Sequence, residues 1–128
     1  MIKLGLLLAG GALGTVARYL VSGWAHRLTD STFPSGTLIV NLGGSFLIGL
    51  VWGLTETQNF STNLRVFIYI GLFGGFTTFS SFAFESFSLF KDNEIKLAFY
   101  NILANNVLGI ALVFGGIMLG GLIIELLK

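Results

Sequence analysis

Val66–Phe90 reads VFIYIGLFGGFTTFSSFAFESFSLF. It holds one acid, Glu85, and no Lys, Arg or Asp. A run of about 20 largely apolar residues is long enough to cross a bilayer. Yet its centre carries four hydroxyls within five positions, Thr77, Thr78, Ser80 and Ser81, threaded by Phe76, Phe79 and Phe82. A polar group at membrane depth costs about 2–7 kcal/mol if it finds no partner. The stretch therefore raises two issues together: the chain belongs in lipid, and something polar is housed inside it.

The whole chain agrees with the first point. Its 128 residues are 54% hydrophobic and 10% charged, whereas soluble domains carry about 25% charged residues. Mean hydropathy is +0.87. A small domain exposes too much of its surface to hide this much apolar material from water. The net charge of +1 gives no reason to expect a nucleic acid or an acidic partner. With no cysteine and a single histidine, His26 in a connector, disulfide and thiolate chemistry are excluded. A Ser-His-acid set, a phosphate loop and a metal-ligand cluster are all missing from the sequence. An enzyme is not expected, and neither is an organic cofactor.

Four transmembrane helices are expected, at about Leu4–Trp24, Gly36–Thr55, Val66–Phe90 and Leu97–Leu127. The turn DSTFPSG, with the only proline, Pro34, separates the first two. The polar connectors ETQNFSTNLR and KDNEIK separate the others. Short connectors make neighbouring helices antiparallel, in one all-α domain over residues 1–128. The N-terminal run outlasts the about 7–15 residues of a signal sequence and has no clear cleavage site, so it reads as a retained span.

With four spans, Lys3, Arg65 and Lys128 fall on one side of the membrane and Arg18, Arg27, Lys91 and Lys96 on the other. Orientation normally follows an excess of Lys and Arg on the cytoplasmic side. Here the excess nearly vanishes, which points to dual topology and an antiparallel homodimer about a two-fold axis in the membrane plane. Each span also holds a small-residue pair four apart: Gly10/Gly14, Gly49/Gly53, Gly71/Gly75 and Gly116/Gly120. Such pairs let helices approach closely in lipid.

The polar residues inside the spans have two readings each. Arg18 either snorkels to the interface or makes an electropositive vestibule. Asn41, one turn from Ser45, either bonds another helix or donates its amide to an anion. Glu85 either reaches water near a helix end or belongs to a polar strip with Ser81 and Ser88. Asn101 and Asn105 share a helix face, with Asn106 about 100° around. Uncharged amides suit a path that must bind an ion weakly and release it. Trp24, Trp52 and Tyr19 fit an interfacial belt.

Gly74-Gly75 followed by β-branched Thr77 and Thr78 suggests that the third helix is broken near its middle. A break frees carbonyls for a small cation and leaves N–H groups that attract anions. Phe79 and Phe82 lie on adjoining faces, and an aromatic ring has a positive edge. Rings presented edge-on can stabilise an anion without a formal charge.

GTLIVNLGGSFLIG (Gly36–Gly49) and GLFGGFTTFSSFAFE (Gly71–Glu85) closely resemble the two signature segments of the small bacterial fluoride channels, the Fluc or CrcB family. GGALGTVARYL and the chain length fit as well. The resemblance implies an antiparallel dual-topology homodimer with two pores in the bacterial inner membrane, giving passive, selective export of fluoride and resistance to its toxicity. It implies that Asn41, Phe79 and Phe82 line the pore, with Thr78, Ser80, Ser81 and Glu85 beside the rings and Arg18 at the vestibule. It implies a structural Na+ held by the carbonyls of Gly74 and Thr77 from both subunits. Relatives often have threonine where Ser81 stands, and hydroxyls in the fourth span where this chain has Asn101, Asn105 and Gly109. The alternative is a small dual-topology multidrug/proton antiporter, which would need a titratable acid deep in the membrane; Glu85 is the only candidate. A non-transporting assembly subunit would explain the glycines but not the polar strip.

Overall fold

The computed structural model describes residues 1–28, 32–56 and 60–128. Four helical stretches are long and apolar enough to cross a membrane: Ile2–Arg27, Ser35–Thr55, Thr62–Lys91 and Ile95–Leu126. They match the four expected spans, each shifted by a few residues at most ends. Residues 30 and 31 of the first connector, and 57–59 of the second, lie outside the described residues.

The first two spans are uninterrupted helices, α1 (Ile2–Leu28) and α2 (Ser35–Thr55). The third is composite. It runs through α3 (Thr62–Arg65), a π-helical stretch Val66–Phe73, α4 (Gly74–Phe76) and α5 (Phe79–Lys91). Thr77 (φ −80°, ψ 158°) and Thr78 (φ −149°, ψ 117°) between the last two are extended. The span nevertheless keeps its course, with a bend of only 17°. The fourth consists of α6 (Ile95–Leu103), a π-helical stretch Ala104–Leu108 and α7 (Gly109–Leu126).

The turn between the third and fourth spans is built by Asn93, the one non-glycine residue with positive φ (64°) among those described. Glu94 N–H donates to the Leu89 carbonyl at 2.8 Å and Asn93 N–H to the Phe90 carbonyl at 3.1 Å. These two bonds are the Schellman closure, and asparagine tolerates its left-handed position better than most residues.

The glycine pairs form two seams inside the protomer. A methyl group on Gly10 would meet the Phe67 carbonyl, and one on Gly14 the Leu72 carbonyl. From the other side, Gly71 and Gly75 press on the backbone of Gly10 and Gly11. In the second seam Gly49 and Gly53 face the carbonyls of Val113 and Ile117, while Gly116 and Gly120 face those of Phe46 and Leu50. The first span is thus zipped to the third and the second to the fourth. Backbone meets backbone in both, so the packing has little side chain to adjust.

A polar groove at the extended link

The extended link interrupts the helical ladder. In a continuous helix the Thr78 N–H would bond the Gly74 carbonyl. Here it donates instead to Asn41 Oδ1 at 2.8 Å, and Asn41 Nδ2 returns a bond to the Thr78 carbonyl at 3.0 Å. One side chain from α2 therefore satisfies both polar groups of the Thr78 residue, as a neighbouring strand would. Gly44, one turn further along α2, makes room for this: a methyl group there would collide with Thr77 Cγ2 and crowd the Phe76 ring.

The hydroxyls divide by task. Thr77 Oγ1 donates back to the Phe73 carbonyl at 2.9 Å, closing the end of the preceding helix. Thr78 caps the following one, its Oγ1 accepting from Ser81 N–H at 3.3 Å. The same hydroxyl donates to Ser81 Oγ at 3.1 Å and lies 3.4 Å from Ser80 Oγ. Beside this cluster Phe79 and Phe82 meet edge to face, centroids 5.3 Å apart and planes at 67°. Phe82 is 6% exposed and Phe79 is 75% exposed. One ring is anchored in the protomer and the other stands on its surface.

These groups border a groove of about 330 Å³ whose lining includes Asn41, Ser45, Tyr69, Phe73, Gly74, Thr77, Thr78, Phe79, Phe82 and Asn105. Five of the ten expected path residues, Asn41, Thr78, Phe79, Phe82 and Asn105, thus border it. Ser80 and Ser81 join through the hydroxyl cluster. Arg18 Nη1 approaches the Thr77 carbonyl at 3.5 Å, a long contact from α1. Asn106 borders the groove but back-bonds the Ile102 carbonyl at 2.8 Å.

Two expected residues stand apart from the groove. Glu85 Oε1 accepts a 2.6 Å bond from Thr37 Oγ1. Its Oε2 is buried and has no hydrogen-bond partner among the described residues. Asn101 is fully buried, and does not border the groove. Its Nδ2 donates to Ser86 Oγ at 3.0 Å, and Ser86 Oγ donates to the Phe82 carbonyl at 2.8 Å.

Ser86 and Thr37 were not singled out from the sequence. Both carried a signal: Thr37 precedes Asn41 by four residues and shares its face, and Ser86 follows Phe82 by four.

Residues 5–117 match the family described as CrcB-like protein, Camphor Resistance (CrcB). The chain is 52% identical over 128 residues to a protein of Parabacteroides distasonis named fluoride-specific ion channel FluC, covering 100% of both chains. A protein of the same name from Agrobacterium fabrum is 49% identical over 121 residues, covering 94% of this chain and 97% of its own. Another from Dehalococcoides mccartyi is 43% identical over 120 residues, covering 92% of each. With four spans of membrane length and a match over most of its residues, the chain is a multi-pass membrane protein of the CrcB family.

Proposed function

We propose that this protein is a fluoride-selective channel that lets fluoride leave the cell passively. The observation that carries the reading is the Phe79–Phe82 edge pair beside the Thr78, Ser80 and Ser81 hydroxyls at an uncharged groove. Ring edges and hydroxyl protons present partial positive charge only. A small anion is held by them and released, where a buried ammonium would bind it too firmly for conduction. The names of the relatives point to the same ion.

The working unit in this reading is an antiparallel homodimer with two pores. Its support is the nearly even distribution of Lys and Arg and the exposure of Phe79, whose outer face a second copy would cover. The extended link at Thr77–Thr78 serves as the functional break of the third helix. It leaves the Gly74 carbonyl without its helical donor, because Thr78 N–H has turned to Asn41. The Gly74 and Thr77 carbonyls are hard oxygen donors suited to Na+, and two copies would supply four. A bound Na+ would neutralise those carbonyl dipoles at the axis without itself crossing.

Purified protein in liposomes loaded with fluoride should release it when a K+ ionophore clamps the potential, and chloride-loaded liposomes should not leak. Comparable chloride release would refute selectivity, and uptake of an organic cation driven by a proton gradient would favour the antiporter. Replacing external and internal Na+ with a bulky organic cation should weaken the dimer or stop flux. Unchanged flux and dimer stability would remove the Na+ site.

A further inference from the structure

The fourth-span amides form a one-way chain that returns to the span it left. Asn41 Nδ2 donates to the Thr78 carbonyl and, at 2.9 Å, to Asn105 Oδ1. Asn105 Nδ2 donates to the Asn101 carbonyl at 3.0 Å and to Asn101 Oδ1 at 2.9 Å. Asn101 Nδ2 donates to Ser86 Oγ, and Ser86 Oγ to the Phe82 carbonyl. The chain leaves the third span at Thr78, passes through the second and fourth, re-enters the third at Ser86 and ends at the Phe82 carbonyl.

We infer that Asn101, which is fully buried and off the groove, is a positioning residue that sets the amide orientation of Asn41 and the seat of the Phe82 ring through Asn105 and Ser86. An amide can point either way, and its neighbours decide. Asn105 Oδ1 can face the Asn41 NH₂ only because its own NH₂ is engaged by the two oxygens of Asn101. That leaves Asn41 Oδ1 for Thr78 N–H. If Asn105 turned over, two NH₂ groups would face each other and the bidentate hold on Thr78 would be lost. Each bond in such a chain also polarises the next. The other end of the chain acts on the rings: Ser86 holds the Phe82 carbonyl, and Phe82 backs Phe79. The fourth span thus influences the ion path at second remove.

The inference rests on the channel reading for its transport test but not for its spectroscopic one. Three proteins are compared: the wild type, Asn101→Leu, which keeps the branching at Cγ and removes every side-chain bond, and Ser86→Ala, which removes only the terminal link. In liposomes the fraction of vesicles that empty counts folded channels, and the rate of emptying reports each channel. Asn101→Leu should slow emptying by about tenfold or more, the scale of a lost hydrogen bond and the disorder it causes. It should also shift the fluoride-over-chloride reversal potential. Ser86→Ala should slow emptying less, since Asn105 stays oriented. In parallel, the side-chain ¹⁵N–¹H resonances of Asn41 should move in Asn101→Leu although no contact of Asn41 was changed directly. Wild-type rate and reversal potential, or an unmoved Asn41 resonance in a folded variant, would overturn the inference. A fall in the fraction of active vesicles at unchanged rate would make Asn101 purely structural and overturn it too. A wild type that releases no fluoride would defeat the channel reading alone, leaving the Asn41 resonance to decide.

Discussion

Asn41 is where the residue scale is most instructive. It bonds Thr78 N–H, Thr78 C=O and Asn105 Oδ1, and so ties the extended link to the second and fourth spans. Asn41→Leu should therefore leave the Thr78 N–H unpaired and destabilise the fold by about 1–3 kcal/mol. Thermal unfolding in detergent measures this, and a change below about 0.5 kcal/mol would contradict it. Phe79 differs. It is exposed in the protomer, so Phe79→Ile should leave protomer stability nearly unchanged while fluoride efflux from liposomes falls sharply. Undiminished efflux would reduce the ring to packing. The residue types in the groove were legible in the sequence because hydroxyls and amides stand out in an apolar run. Their partners were not. Nothing in the spacing announces that Asn101 meets Ser86, because that contact joins different helices.

Among the elements, the third span best shows what sequence could and could not convey. Gly74-Gly75 and the Thr77-Thr78 pair suggested a helix broken near its middle; Gly74 and Gly75 are helical, only the two threonines are extended, and the joined span bends by just 17°. The π-helical stretches at Val66–Phe73 and Ala104–Leu108 left no recognisable signal at all. Such stretches often accompany functional positions, and the second contains Asn105. The glycine seams allow a matched test. A methyl group on Gly116 would strike the Phe46 carbonyl, whereas one on the adjacent Gly115 meets nothing within 4 Å. Gly116→Ala should reduce the folded yield severely. Gly115→Ala should be neutral or stabilise by up to about 1 kcal/mol, as helix propensity favours alanine. Equal behaviour of the two, by size-exclusion profile and unfolding midpoint, would dissociate the glycines from packing.

For the whole molecule, the four spans and their order were legible, because length and hydropathy alone determine them. The surface of the protomer is largely apolar, as lipid requires, with Phe79, Phe84, Phe87 and Tyr100 all well exposed. Its orientation depends on very few charges. If both orientations insert, a C-terminal tag should be labelled from either side of the membrane by an impermeant reagent. Substituting Lys91 and Lys96 with Gln should then drive the population toward termini facing the cytoplasm, since Lys3, Arg65 and Lys128 would be in the majority. An unaltered labelling ratio would mean that something other than loop charge sets topology.

The order of the two glycine seams has a consequence for how the chain is made. Seams join first to third and second to fourth, so neither joins spans adjacent along the chain. As the protein emerges from the ribosome, the first two helices enter the membrane with no glycine partner available. The first seam closes only when the third helix arrives, and the second only at the end of synthesis. A gene divided between the second and third spans would encode two halves that each lack a complete seam, yet hold complementary parts of both. Such halves should be degraded when expressed singly and should rescue each other when expressed together.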